Sequence, residues 1–115
     1  MKKKIAILGS TGSIGKTLIN IIKQDKKNFE IVLLSADGNH KELLKQAKFL
    51  KASNLIITNK NSYNKIKKDG FTKKINIYNN FDCFKKIFKK KVDYTMSCIS
   101  GIEGLKPTIE IIQFT

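Results

Sequence analysis

Short, continuously apolar runs alternate with amphipathic segments along the whole chain. Runs that are apolar on both faces predict buried strands, and apolar residues recurring every three or four positions predict helices. Strands are predicted over residues 3–8, 29–35, 54–58, 75–78 and 94–99. Helices are predicted over residues 15–24, 39–51, 62–68 and 81–89, with a last one from residue 109. This alternation is typical of an α/β protein with a doubly wound parallel sheet.

The spacing of apolar side chains also predicts which helix faces are buried. In the first helix Ile14, Leu18, Ile21 and Ile22 fall on one stripe, which we expect to face the sheet. No repeat or linker divides the chain, so we predict a single domain over residues 1–115. The last helix reaches Thr115 without a cap, and we expect the sheet to be incomplete at the C-terminus.

Charge raises the question of a polyanionic partner. The net charge is +14, and all 23 basic residues are lysines. A basic domain is one mark of nucleic-acid binding, but specific nucleic-acid sites favour arginine for bidentate base contacts. Because the lysines are spread over nearly every predicted helix, we interpret the charge as a compositional bias and expect no nucleic-acid partner. A basic nucleic-acid-binding module remains the alternative from a different class.

Several kinds of chemistry are disfavoured by what the chain contains. Cys83 and Cys98 lack metal-ligand spacing, and the single histidine, His40, cannot supply a histidine cluster. The N-terminal apolar run, Ile5 to Leu8, is too short for a signal peptide or a membrane span. We therefore expect a cytoplasmic protein with no membrane partner.

The most specific motif lies between the first strand and the first helix. There the chain reads Gly9-Ser10-Thr11-Gly12-Ser13-Ile14-Gly15, a spacing variant of the dinucleotide-binding turn. The first glycine allows a sharp turn, the second allows a pyrophosphate to approach the backbone, and the third allows the helix to pack closely. Free amides at the start of the helix would then bind the phosphates.

A second candidate segment, Ala36-Asp37-Gly38-Asn39, follows the second strand, where such proteins meet the adenosine ribose. An acidic residue there favours the ribose 2′-hydroxyl of NAD, whereas a basic one favours the 2′-phosphate of NADP. Asp37 therefore argues for NAD and Lys41 for NADP. Asn39, with Glu42 three residues later, is also a plausible helix cap.

A third segment, residues 96–104, contains the end of the predicted fifth strand and continues in small residues and glycine. The nicotinamide end of a cofactor would pass beside this segment. An ordinary strand-to-helix turn explains the same residues. Cys98 is interpreted as a packing thiol, because no histidine or arginine is in place to activate it. Glu103 is interpreted as an exposed loop carboxylate.

These segments together resemble the 1-deoxy-D-xylulose 5-phosphate reductoisomerases. The resemblance rests on Ile7 to Leu18, on Ala36-Asp37-Gly38-Asn39, and on Ser100 to Thr108, and so covers nearly the whole chain. It implies the Rossmann-like front part of an oxidoreductase that rearranges and reduces 1-deoxy-D-xylulose 5-phosphate to 2-C-methyl-D-erythritol 4-phosphate with NADPH. Asp37 departs from the family pattern, which usually has a small residue there.

The resemblance also implies site residues. The cofactor-binding set would be Gly9, Ser10, Thr11, Gly12, Ser13, Ile14, Ala36, Asp37, Gly38, Asn39, Ser97, Cys98, Ile99, Ser100 and Gly101. The family's catalytic residues and its ligands for Mg²⁺ or Mn²⁺ are expected downstream of residue 115, so none is assigned here and the 115 residues alone are expected to be inactive. A sugar phosphate as substrate and a homodimer are expected of the longer enzyme. Another NAD(P)-dependent Rossmann reductase is the nearest alternative.

Overall fold

The structure is a computed structural model that describes residues 2–69, 74–99, 101 and 104–115. Its strands are β1 (Lys3–Leu8), β2 (Phe29–Ala36), β3 (Asn54–Ile57), β4 (Asn76–Tyr78) and β5 (Tyr94–Ser97). Its α-helices are α1 (Ser13–Lys23), α2 (His40–Leu50), α3 (Lys60–Lys67), α4 (Phe84–Ile87) and α5 (Leu105–Ile112), and a short 3₁₀ turn spans Lys26–Asn28. The predicted α/β class is confirmed.

All five strands are parallel and lie in the order β4-β3-β2-β1-β5. The chain moves outwards from β1 to β4 and then returns to place β5 on the other side of β1. The direction of winding therefore reverses between β1 and β5. In open parallel sheets the crevice at the carboxyl ends of the strands, where the order reverses, is the usual ligand site.

Side chains of the central strands alternate between two hydrophobic cores, one on each face of the sheet. Ile5 and Ile7 of β1 point into the core that is covered by α1, α2 and α3. Ala6 and Leu8 point into the other core, which contains Phe84, Phe88 and Ile111. This period of two, with apolar residues on both faces, explains why the strands appear in the sequence as continuous apolar runs.

Most predicted elements are present, but several of their boundaries differ. The helix predicted over residues 81–89 is reduced to Phe84–Ile87. The Asn80 side chain accepts a hydrogen bond from the Asp82 amide (2.9 Å), and this local turn delays the helix. The fifth strand ends at Ser97, two residues early, and the last helix begins at Leu105, four residues early.

The predicted buried stripe of the first helix is right for two of its four residues: Ile22 is buried and Leu18 packs against the core, but Ile14 and Ile21 are exposed. α1 buries Gly15, Ile19 and Ile22, whereas Ile14 and Ile21 are 73% and 61% exposed. The reason is the close contact between Gly15 and the end of β1, described below, which fixes the rotation of the helix about its axis. In the part of the chain that the structure describes, no helix has the length and apolar character needed to cross a membrane.

Candidate functional site

The turn after β1 passes very close to the neighbouring strands. Gly9 has a φ of +75°, a left-handed conformation that favours glycine. A Cβ at Gly9 would lie 3.0 Å from the backbone carbonyl of Cys98, just beyond β5. On the other side, the Gly9 amide donates to Ser35 Oγ at 2.9 Å. The first glycine therefore allows β1 to turn between the ends of β2 and β5.

The other two glycines of the motif have different surroundings. A Cβ at Gly15 would lie 2.3 Å from the Gly9 carbonyl oxygen and 2.7 Å from the Ser10 backbone, so only glycine fits. A Cβ at Gly12 would approach only the Gly9 oxygen, at 3.9 Å. Gly15 is thus required by the packing of the protein itself. At Gly12 the space is left open towards the cleft.

The N-terminus of α1 has the form of an anion-binding site. Gly12 is the N-cap residue and supplies no side chain to cap the helix. The Lys16 amide bonds to the Gly12 carbonyl at 2.8 Å, which begins the regular helical pattern. The amides of the preceding residues lack partners within the helix, and with the helix dipole they favour an anion.

Ser10, one of the predicted cofactor residues, faces the interior. Its side chain is buried, and its amide and hydroxyl donate to the Ser35 carbonyl at 2.9 and 3.4 Å. Its carbonyl accepts from Nε2 of the buried Gln46 at 3.0 Å. Ser10 therefore holds the turn in place, and it does not line the cleft described below. Gln46 and Ser35 were not predicted, because nothing local in the sequence connects them with the turn.

At the end of β2 the chain is tied to the start of α3. The Asp37 carbonyl accepts from the Asn59 amide at 2.8 Å, and Asp37 Oδ1 accepts from Thr58 Oγ1 at 2.6 Å. The Gly38 carbonyl accepts from Ser62 Oγ at 2.8 Å. Asp37 is exposed at the cleft, which places its carboxylate where a ribose would lie.

Asn39 caps α2. Its side-chain oxygen accepts from the Glu42 amide at 3.2 Å, which confirms the predicted cap. His40 is the first residue of α2 and is partly exposed. Because Asn39 uses its oxygen for the cap, a ligand contact by this residue would come from its amide nitrogen or its backbone.

The end of β5 closes the opposite side of the cleft. The Cys98 amide donates to the Leu8 carbonyl at 2.7 Å, and burial raises the pKa of the Cys98 thiol, as expected for a packing thiol. Ser97 Oγ pairs with Thr108 Oγ1 at 2.7 Å, tying β5 to α5. Gly101 has a φ of +80° and open space around it. Ser100 and Glu103 lie outside the described residues.

These segments surround one cleft of about 390 Å³ at the carboxyl ends of the strands. It is lined by the predicted residues Gly9, Thr11, Gly12, Ala36, Asp37, Cys98 and Ile99, and by Ser35, Thr58 and Phe81, which were not predicted. Thr58 directly follows the third strand, so its place in the cleft could have been predicted from its position at the carboxyl edge of the sheet. Six other predicted residues do not line the cleft. They are Ser13 and Ile14, in the first turn of α1, and Gly38, Asn39, Ser97 and Gly101.

A glycine turn leading to an uncapped helix, set where the winding of a parallel sheet reverses, defines a domain with the Rossmann-type fold. Comparison with known proteins gives the family: residues 5–115 match the 1-deoxy-D-xylulose 5-phosphate reductoisomerase family. The chain belongs to this family.

Individual relatives agree with this assignment. The 1-deoxy-D-xylulose 5-phosphate reductoisomerase of Pelagibacter ubique is 51% identical in an alignment of length 115 that covers 98% of this chain and 30% of that protein. The Zymomonas mobilis enzyme in complex with NADPH superposes with a TM-score of 0.87 at 27% identity, covering 98% of this chain and 30% of that one. A reductoisomerase in complex with NADPH, fosmidomycin and magnesium has a TM-score of 0.80 at 25% identity, covering 92% and 26%. The chain thus spans about 30% of the length of these relatives.

Proposed function

We propose that this chain forms the NADPH-binding domain of an enzyme that converts 1-deoxy-D-xylulose 5-phosphate to 2-C-methyl-D-erythritol 4-phosphate. The observation that carries the proposal is the cleft at the reversal between β1 and β5, with the open Gly12 and the uncapped start of α1 on its wall. A similar relative of known structure is in complex with NADPH. The bound nicotinamide would supply the hydride for the reduction.

The residues of this chain bind and orient the cofactor. Backbone amides from Thr11 to Ile14, at the start of α1, would hold the pyrophosphate. Asp37 to Asn39 would hold the adenosine ribose. The segment from Ser97 to Gly101 would flank the nicotinamide, with the half-buried Cys98 lining the cleft there. In this proposal the chain positions the cofactor, and residues elsewhere in the enzyme act on the substrate.

The described residues do not fit a divalent metal. Among residues 2–69, 74–99, 101 and 104–115, no three histidine, cysteine or acidic side chains come together as a ligand set. A relative was solved in complex with magnesium, and we propose that the corresponding metal is held by ligands outside these residues. The sugar-phosphate substrate, the homodimer and the cytoplasmic location expected from the family resemblance are proposals for the longer enzyme.

Calorimetric titration of the purified protein with NADPH tests the proposal. We expect saturable one-to-one binding, with circular dichroism showing that the protein is folded. Titration with duplex and single-stranded DNA over a range of salt concentrations tests the nucleic-acid alternative, because phosphate contacts give a steep loss of affinity with salt. Folded protein that binds neither NADPH nor NADH would refute the proposal. Tight DNA binding at physiological salt that NADPH does not displace would favour the alternative.

A further inference from the structure

The end of β2 carries a carboxylate where the adenosine ribose is expected. Asp37 is the first residue after β2, and its backbone is fixed by the hydrogen bond from the Asn59 amide to its carbonyl. Its side chain lines the same cleft as Gly9 and Gly12. In Rossmann domains the ribose nearest the adenine lies against this position. In a bound cofactor, Asp37 would therefore lie beside the ribose that distinguishes NADH from NADPH.

The carboxylate is oriented by a single neighbour. Thr58 Oγ1 donates to Asp37 Oδ1 at 2.6 Å, and among the described residues no ion pair is made with Asp37. A carboxylate accepts hydrogen bonds and cannot donate them. The two hydroxyls of the NADH ribose are donors and complement it. The 2′-phosphate of NADPH brings only further negative charge and acceptor oxygens.

The surroundings of Asp37 lack the arginine that is typical of a 2′-phosphate site, and the basic residue that favours NADP, Lys41, comes four positions later. Such sites commonly use an arginine, whose guanidinium binds phosphate in a bidentate manner, and this chain has none. The next residue is Gly38, which has no side chain, although a Cβ there would meet its nearest neighbours only at 3.9 Å. The space could therefore hold a basic side chain, and the sequence does not place one there.

We propose that Asp37 is a specificity-determining residue that binds the ribose hydroxyls of NADH and repels the 2′-phosphate of NADPH. The protein then binds NADH with an affinity within a few-fold of that for NADPH. This inference rests on the proposed nucleotide-binding function and refines it. The cofactor remains a nicotinamide dinucleotide, and Asp37 sets the ratio between its two forms.

Calorimetric dissociation constants for NADH and NADPH in the wild type and in Asp37→Asn test the inference. We expect the substitution to tighten NADPH binding and weaken NADH binding, so that their affinity ratio shifts by about tenfold, or about 1.4 kcal/mol. Thr58→Val, which removes the hydroxyl that orients the carboxylate, should weaken NADH binding and leave NADPH binding nearly unchanged.

Glu30→Gln is the matched control. Glu30 is exposed at the beginning of β2, seven residues and about 23 Å from Asp37. The Glu30→Gln substitution therefore removes the same charge at a position away from the cleft. It should change the two affinities equally. An unchanged ratio in Asp37→Asn, or a shift equal to that of Glu30→Gln, would overturn the inference and leave nucleotide binding intact. Folded wild-type protein that binds neither nucleotide would instead overturn the proposed function.

Discussion

Replacing Gly12 and Gly15 separately by alanine should separate ligand binding from folding within one motif. At Gly15 the new Cβ would lie 2.3 Å from the Gly9 oxygen, about 1 Å inside normal van der Waals contact. The obstructing atoms are backbone, so the start of α1 must shift away from the strand. Overpacking of this kind typically costs about 1–3 kcal/mol, and we expect Gly15→Ala to reach the upper end, about 3 kcal/mol.

Gly12→Ala should behave in the opposite way. Gly12 has φ −75° and ψ 176°, which alanine adopts without strain, and its Cβ would meet no atom closer than 3.9 Å. The free energy of unfolding should therefore change by no more than about 0.5 kcal/mol. The methyl group would project into the space proposed for the pyrophosphate. We expect NADPH binding to weaken by at least about tenfold, equivalent to about 1.4 kcal/mol.

Urea unfolding followed by circular dichroism gives the stability of each variant, and calorimetry gives the dissociation constant for NADPH. The expected pattern is a stable Gly12→Ala that binds poorly and a Gly15→Ala with a clearly lower unfolding midpoint. Wild-type affinity in Gly12→Ala would show that no ligand approaches the backbone there. Wild-type stability in Gly15→Ala would show that the close contact of α1 with β1 is not formed.

Four further results are expected. Gln46→Leu removes the buried donor to the Ser10 carbonyl and should lower the free energy of unfolding by about 1–2 kcal/mol in urea. Asn39→Ala and Asn59→Ala each remove a helix cap and should each cost about 1 kcal/mol, but only Asn39→Ala should also weaken NADPH binding by calorimetry. Burial raises the pKa of Cys83 to about 11, so iodoacetamide should label Cys98 first at pH 8, as followed by mass spectrometry, and NADPH should slow that labelling. Because the unfolded Cys83 thiol ionises at lower pH than the folded one, stability should fall as pH rises from about 9 towards 11.

The strands and the glycine turn could be predicted from the sequence because their determinants are local. β1 begins and ends at the predicted residues, since its apolar run, Ile5 to Leu8, is followed directly by Gly9. The cap at Asn39 was also predictable from the spacing to Glu42. Each of these features is determined by residues only a few positions apart. The local backbone conformation fixes the positions of such residues relative to one another.

The inner support of the turn could not be predicted in the same way. Ser35 and Gln46 contact Gly9 and Ser10 across 26 and 36 positions of the chain, respectively. Neither contact has a characteristic spacing, because both depend on how β2 and α2 are placed against β1. Phe81 is similar: it lines the cleft only because the chain crosses to the other face of the sheet before α4.

Gly15 explains why the predicted buried stripe of α1 is wrong at Ile14 and Ile21. Helical periodicity gives the angle between apolar side chains, but it does not give the rotation of the helix relative to the sheet. That rotation is set by Gly15, the residue at which α1 approaches the Gly9 carbonyl too closely for any Cβ. Ile19 and Ile22, four and seven residues later, then share its buried face. Ile14 and Ile21 are turned away and, with Met96 of β5, line a shallow apolar groove. The motif that would form the proposed phosphate site therefore also decides which side chains of the helix enter the core.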